Sequence, residues 1–299
     1  MHAPQPARPS VLPVAPTGAS LGDWRAIDWS RPWLQSLRTA GEPLAQQVLQ
    51  GCAVHEALNQ ALPAVLRAEG LRFVPQADLP EGMAYEAFIH ARRCVPTRHN
   101  FHDFFNGLVW LHWPQLKLQM NRLQAAEIAR AGVGAQRGPL RDALTVLDEN
   151  GAVWWAPQPL IDALRARQWQ RLMVELRPLW AHSRLLPVGH ALLEKLVVPR
   201  KPITAHLVCL PMEGGAAWPY PLPDETQIPA LCDAALAMHP MLQAPALATK
   251  LFAALPVLGV PGWWPENANF SFYDDSLVFR GQRPSNITTT SGPAEVTTA

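Results

Sequence analysis

His99, His102, Asp103 and Asn106 fall within one short run, RHNFHDFFNGLVWLHWPQLKLQMNRLQ at residues 98–124, which also carries Arg98, Lys117, Asn121 and Gln124. Imidazole and carboxylate groups ligate zinc, iron or manganese, and imidazole exchanges protons near neutral pH. On a helix His102 and Asn106 stand one turn apart and can converge on a point. Adjacent His102 and Asp103 diverge by about 100°, so both reach one ion only if the helix approaches with an edge. A catalytic reading makes His102 a base or metal ligand, with Asp103 its partner or a second ligand. A structural reading makes His102 a satisfied interior histidine and Asp103 the cap of a helix start.

Two further groupings carry chemistry. Arg98, Lys117 and Arg141, with Asn106 and Asn121 as neutral donors, could grip an anion. Guanidinium binds phosphate or carboxylate through two parallel N–H bonds and ammonium acts as a compact charge. The competing reading pairs Arg98 and Arg141 with Asp103, Asp142 or Asp148 as ordinary bracing. In GHALLEKL, His190 and Glu194 are spaced i, i+4 and share a helix face, with His206 and Asp274 or Asp275 as further candidates. There the plain alternative is a surface ion pair and a buried strand histidine. No G-x-S-x-G elbow, G-x-G-x-x-G or Walker loop is present, so a serine nucleophile, a nicotinamide site and a P-loop are not expected. Trp263 and Trp264 could stack on a flat ligand or cover the end of the core.

The elements that must position these groups are read from periodicity. At about 100° per residue, His102, Asn106, Trp113, Lys117, Asn121 and Gln124 fall within roughly a quarter turn, opposite Phe101, Phe104, Phe105, Leu108, Leu116 and Leu123. Pro114 must end or kink this helix, because it lacks the N–H that Trp110's carbonyl needs. A helical region over Glu42–Glu69 is divided by Gly51 and Pro63, with Gly70 as its cap. RDALTVLDENGAVWWA suggests a β-hairpin at about 141–155 turning on Asn150-Gly151. Helices are expected over Pro159–Leu179, His190–Val198 and near Ile228–Phe252, and a buried strand at about 202–210. The fold class is therefore α+β, predominantly helical.

The chain has 299 residues, 48% hydrophobic and 16% charged, which suits a packed core rather than a disordered chain. A net charge of +1 argues against nucleic-acid binding by bulk charge, yet residues 90–141 hold eight Arg and Lys against Asp103 and Glu127. That local excess favours a small anionic ligand. Cys52, Cys94, Cys209 and Cys232 form no C-x-x-C pair, so neither a zinc knuckle nor a disulfide framework is expected. The Pro-rich residues 1–20 are expected to be a disordered lead-in, residues 21–282 one globular domain, and residues 283–299 a loose tail. Without a signal-peptide core or a membrane-length apolar run, the expected setting is the cytoplasm.

Several stretches together resemble a bacterial family of uncharacterised proteins, domain of unknown function 3025. They are VPTRHNFHDFFNGLVWLHWPQLKLQMNRLQ, RDALTVLDENGAV, GHALLEKL, KPITAH and LPVLGVPGWWPENANFSFYDDSLVFR. The resemblance implies one continuous domain and supplies no activity. The positions matching the family's polar motifs are Thr97, Arg98, His102, Asp103, Asn106, Trp110, Pro114, Lys117 and Asn121. Function at this level reads as a hydrolase acting on an anionic, phosphate-bearing small molecule through the polar face around His102. A divalent metal is an option, and the alternative is a non-catalytic ligand- or partner-binding protein braced by the same face.

Overall fold

A computed structural model describes residues 23–132, 138–212, 233, 237–249 and 252–281. The first helical region is divided as its glycine and proline require: α1 (Arg38–Leu49), α2 (Val54–Gln60) and α3 (Ala64–Ala68). Strand β1 (Arg72–Pro75), helix α4 (Tyr85–Arg92) and strand β2 (Cys94–Thr97) follow, and β1 and β2 pair in parallel. Pro114 divides the long polar-faced helix into α5 (Phe101–His112) and α6 (Pro114–Ala131), standing at the first position of α6 where its missing N–H costs nothing. Phe104, Phe105, Leu108 and Trp110 of α5 are buried in the core.

The expected hairpin at 141–155 is not formed. Residues Pro139–Asn150 make helix α7, which leads directly into strand β3 (Gly151–Ala156). Ala143, Leu144 and Leu147 recur at i, i+1 and i+4 and bury one face, while Pro139 and Asp142 suit a helix start. A tight Asn-Gly hairpin turn needs positive φ at both residues, whereas Gly151 has φ −81° and is extended. The glycine serves a close approach instead, since a Cβ there would lie 2.3 Å from the Leu147 carbonyl oxygen.

Helix α8 (Gln158–Arg165) is followed by a π turn (Arg171–Glu175) and a 3-10 turn (Arg177–His182) in place of one continuous helix. Strand β4 (Arg184–Pro187), helix α9 (His190–Lys195), strand β5 (Thr204–Pro211) and strand β6 (Ala253–Pro256) complete the frame. The expected buried strand is thus β5. The four-stranded sheet has the order β4-β3-β5-β6, with β3 parallel to β5 and antiparallel to β4. Strand β3 is buried on both faces, which its Val-Trp-Trp run suits. Of the helix expected near Ile228–Phe252, residues 228–232, 234–236, 250 and 251 lie outside the described residues; in the remainder Ala244–Leu247 is helical and Pro240–Leu242 a 3-10 turn. One contiguous cluster of buried side chains runs from Trp24 to Phe279. No helix among the described residues is long and apolar enough to cross a membrane.

Candidate metal centre

Three helix ends meet beside the sheet. Helix α9 packs against both α5 and α7, so the first turn of α5, the start of α9 and the last turn of α7 face one another. Asn100 caps α5, its Oδ1 accepting the Asp103 N–H at 2.8 Å, and this fixes the turn that carries His102. His190 opens α9 directly after Gly189, where a Cβ would lie 2.5 Å from the Gly151 nitrogen and 2.7 Å from the Glu149 carbonyl oxygen. Gly151 accepts the Gly189 N–H at 2.8 Å. Only glycine permits this approach, and it holds His190 against Asp148 and Glu149.

The two histidines point ring nitrogens at each other. His102 Nε2 and His190 Nε2 are 2.9 Å apart. Each ring is backed by a carboxylate on its other nitrogen: Glu194 Oε2 lies 2.9 Å from His102 Nδ1, and Asp148 Oδ2 lies 3.7 Å from His190 Nδ1. Glu149 Oε2 lies 3.8 Å from His190 Nε2. One ligand atom from each of His102, Glu149 and His190 lies within 4.8 Å of the other two. The His190 side chain is 5% exposed and forms the floor, whereas those of His102 and Glu149 are 30% and 37% exposed.

Proton placement follows from these surroundings. The Glu194 hydrogen bond raises the His102 pKa above its ordinary value against the opposing effect of burial. Burial pushes His190 down to about 4, the Asp148 charge offsetting only part of the effect. At neutral pH His190 is therefore neutral; its Nδ1 is buried 3.7 Å from Asp148 Oδ2 and has no hydrogen-bond partner among the described residues. His102 is hydrogen-bonded to Glu194 through Nδ1 and to His190 through Nε2. Burial also raises Glu149. For Asp148 burial acts upward too, but Lys117 and His190 beside it hold the carboxyl below its usual value.

A cation in place of the shared proton would need the rings to part slightly unless it bound them at a right angle: metal–imidazole bonds of about 2.0–2.1 Å put two nitrogens about 2.9 Å apart at about 90° and about 3.3–3.4 Å apart at the tetrahedral angle. Glu194, bonded to His102 Nδ1, is the customary carboxylate partner of a ligating histidine; Asp148 stands behind His190 at 3.7 Å, outside hydrogen-bond distance. His102, Glu149 and His190 would supply three ligands and leave coordination positions open toward solvent.

The remaining sequence candidates divide. His190 and Glu194 join His102. Asp103 turns to Arg98 instead, accepting its backbone N–H at 2.5 Å and its Nε and Nη2 at 3.1 and 2.9 Å. Lys117 is buried and donates to Asp148 Oδ1 and to Asn106 Oδ1, the latter at 3.0 Å. Asn106 donates in turn to the Tyr85 hydroxyl at 3.0 Å, and Asn121 to Glu86. These are interior bonds, so Lys117, Asn106 and Asn121 form the support beneath the histidines rather than an open clamp. Arg98 alone of the proposed anion binders is well exposed, its side chain at 56%, and its Nη1 makes no hydrogen bond among the described residues. The Arg141 Nε is buried without a partner among the described residues, near the charges of Glu86 and Glu127. His206, on β5, faces Phe252 and stands outside the histidine group. His99 packs on Trp24, and Asp274 and Asp275 bond Gln170 and Lys201 elsewhere.

Asp148 and Glu149 are the residues that sequence reasoning missed as site members. The hairpin reading leaves Asp148 only as a bracing partner for Arg98 or Arg141 and gives Glu149 no role; the apolar spacing of 143, 144 and 147 is the signal for a helix that presents them inward.

The fold and site define a mainly helical α+β protein built around a two-histidine, carboxylate-flanked centre. The chain belongs to the family described as "Protein of unknown function (DUF3025)", which it matches over residues 71–283. Every residue of the centre lies inside that span. No curated protein and no solved structure matches the chain.

Proposed function

We propose that this protein is a metal-dependent hydrolase of a small anionic, phosphate-bearing molecule. His102, His190 and Glu149 hold one divalent cation. The observation that carries the proposal is the facing pair of Nε2 atoms at 2.9 Å, each ring braced from behind by a carboxylate. The bound cation would lower the pKa of a coordinated water and stabilise charge developing on the scissile group. Glu194 keeps His102 oriented, and the Asp148 charge 3.7 Å from His190 Nδ1 favours the tautomer that leaves Nε2 free to ligate. Arg98, locked to Asp103 through Nε and Nη2, offers Nη1 to the anion, and Glu194 lies close enough for its charge to act on the guanidinium. A reducing compartment such as the cytoplasm belongs to the same proposal, with Cys52, Cys94 and Cys209 as free thiols.

The test combines metal analysis with hydrolysis of p-nitrophenyl phosphate and a panel of phosphate esters by protein loaded with Zn²⁺ or Mn²⁺. The proposal expects about one metal per chain and turnover that disappears in folded His190→Ala. Metal-free protein, or turnover indifferent to that change, would overturn it.

A non-catalytic reading draws on a different observation. Lys117, Asn106 and Tyr85 form a buried hydrogen-bonded chain, and Asn121 bonds Glu86, an arrangement of the kind that braces a fold. If the centre binds metal without turnover on any ester, the face is a metal-stapled structural network.

A further inference from the structure

A second feature lies along the free edge of β4, away from the histidines. Strand β4 ends the four-stranded sheet and pairs only with β3. Its outer side borders an open groove of about 530 Å³ walled by Arg177, Trp180, Ser183, Arg184 and Trp263. The volume lies in the range of small-molecule sites, about 300–1,000 Å³. Among the described residues no acidic residue lines the groove, and both its arginines bond only neutral groups. Arg177 donates to the Met173 carbonyl, the Tyr273 hydroxyl and Asn267 Oδ1, and Arg184 donates to the carbonyls of Ala181 and Ser183. Two guanidiniums without a carboxylate make this groove electropositive.

Its wall is built rigidly. Asn267 is 1% exposed and donates to the carbonyls of Leu258 and Val260 at 2.8 and 2.7 Å, and the Tyr273 hydroxyl donates to Gly259 at 2.9 Å. These bonds pin the 258–260 turn that forms one side.

A recess of about 150 Å³ lined by Trp33, Ser36, His112 and Trp113 adjoins the groove, the two sharing Pro32, Gln35, Arg184 and Leu185 as walls. Trp33 and Trp113 are each 1% exposed, and Trp33 Nε1, Trp113 Nε1 and His112 Nε2 are buried without a partner. Burial holds the His112 pKa at about 4, so the ring is neutral near pH 7. A cavity of this size accepts a single aromatic ring, as a ~150 Å³ engineered cavity accepts benzene.

We propose that groove and recess together bind a monocyclic planar organic anion, its charged group on Arg184 and Arg177 and its ring among Trp33, His112 and Trp113. Aromatic carboxylates and pyrimidine nucleoside monophosphates share this chemistry. Arg184 is the anchor, because it alone of the charged residues borders both spaces.

Benzoate and uridine monophosphate serve as probes, with inorganic phosphate and benzyl alcohol as controls for charge without ring and ring without charge. Binding is read by quenching of tryptophan fluorescence and by calorimetric titration of the full chain. At least one ring-bearing anion is expected to bind more tightly than both controls, and which of the two does so identifies the source. Arg184→Gln should weaken it about tenfold or more while leaving benzyl alcohol unchanged. Binding should persist in His102→Ala, which separates this site from the metal centre. No binding of either probe at millimolar concentration, or affinity unchanged in folded Arg184→Gln, overturns the proposal.

Discussion

Replacing Lys117 by methionine isolates the energetics beneath the metal centre. The Lys117 side chain is 6% exposed and that of its partner Asp148 is 16% exposed. Methionine keeps the aliphatic volume and removes the charge, leaving Asp148 ionised and enclosed with neutral His190 at 3.7 Å. Breaking a buried pair from one side costs about 3–5 kcal/mol, because the remaining charge keeps its desolvation penalty without its partner. The loss of the Asn106 bond at 3.0 Å belongs to the same event and is not added to it. In the native protein the Asp148 pKa is lowered, so its contribution is present above the unfolded value of about 3.9 and lost as pH falls through the folded value. In the variant the Lys117 contribution is gone, only the histidines still oppose burial, and the folded pKa rises. The deficit should then be largest at pH 7 and shrink as pH falls through that raised value. Urea unfolding of both proteins at pH 7 and pH 5, metal-free, measures the difference. Adding Asp148→Asn to Lys117→Met should restore part of the loss. A deficit below about 1 kcal/mol, or one that grows on acidification, would refute the reasoning.

Glu194→Gln removes the carboxylate behind His102; it should lower the His102 pKa and weaken metal binding by about 10–100-fold, as measured by competition with a chromophoric chelator. Metal affinity should fall on acidification through the raised His102 pKa, because the cation displaces the Nε2 proton; buffers of different ionisation enthalpy would register the released proton calorimetrically. Gly189→Ala forces a Cβ to within 2.5 Å of the Gly151 nitrogen, so a stability loss of about 1–3 kcal/mol and a displaced His190 are expected, visible together in unfolding and metal titration.

The polar side of 98–124 was legible because its periodicity is helical and its amides and imidazole stand where a solvated face would carry Glu and Lys. Pro114 fixed the division between α5 and α6 for the same local reason. The role of each residue on that side was not legible. Whether Asp103 faces His102 or Arg98 depends on the path of 97–100, and a hydrogen bond to the Arg98 backbone decides it. The 141–150 segment misled because Thr145 and Val146 favour strands and Asn-Gly favours hairpins, while tertiary packing of Ala143, Leu144 and Leu147 made it a helix. With that helix went Asp148 and Glu149, the acids that complete the centre. Pairing of His102 with His190 spans 88 positions and rests on α5 meeting α9, a contact no local pattern encodes.

The central claim is that His102 and His190 share a cation. Crystals soaked in Zn²⁺ or Mn²⁺ and measured at the metal's absorption edge test it directly. The expected result is one anomalous peak about 2.0–2.3 Å from both Nε2 atoms and within reach of the Glu149 carboxylate. An undivided N–H···N bond between the two rings, with every anomalous peak elsewhere on the surface, would contradict it.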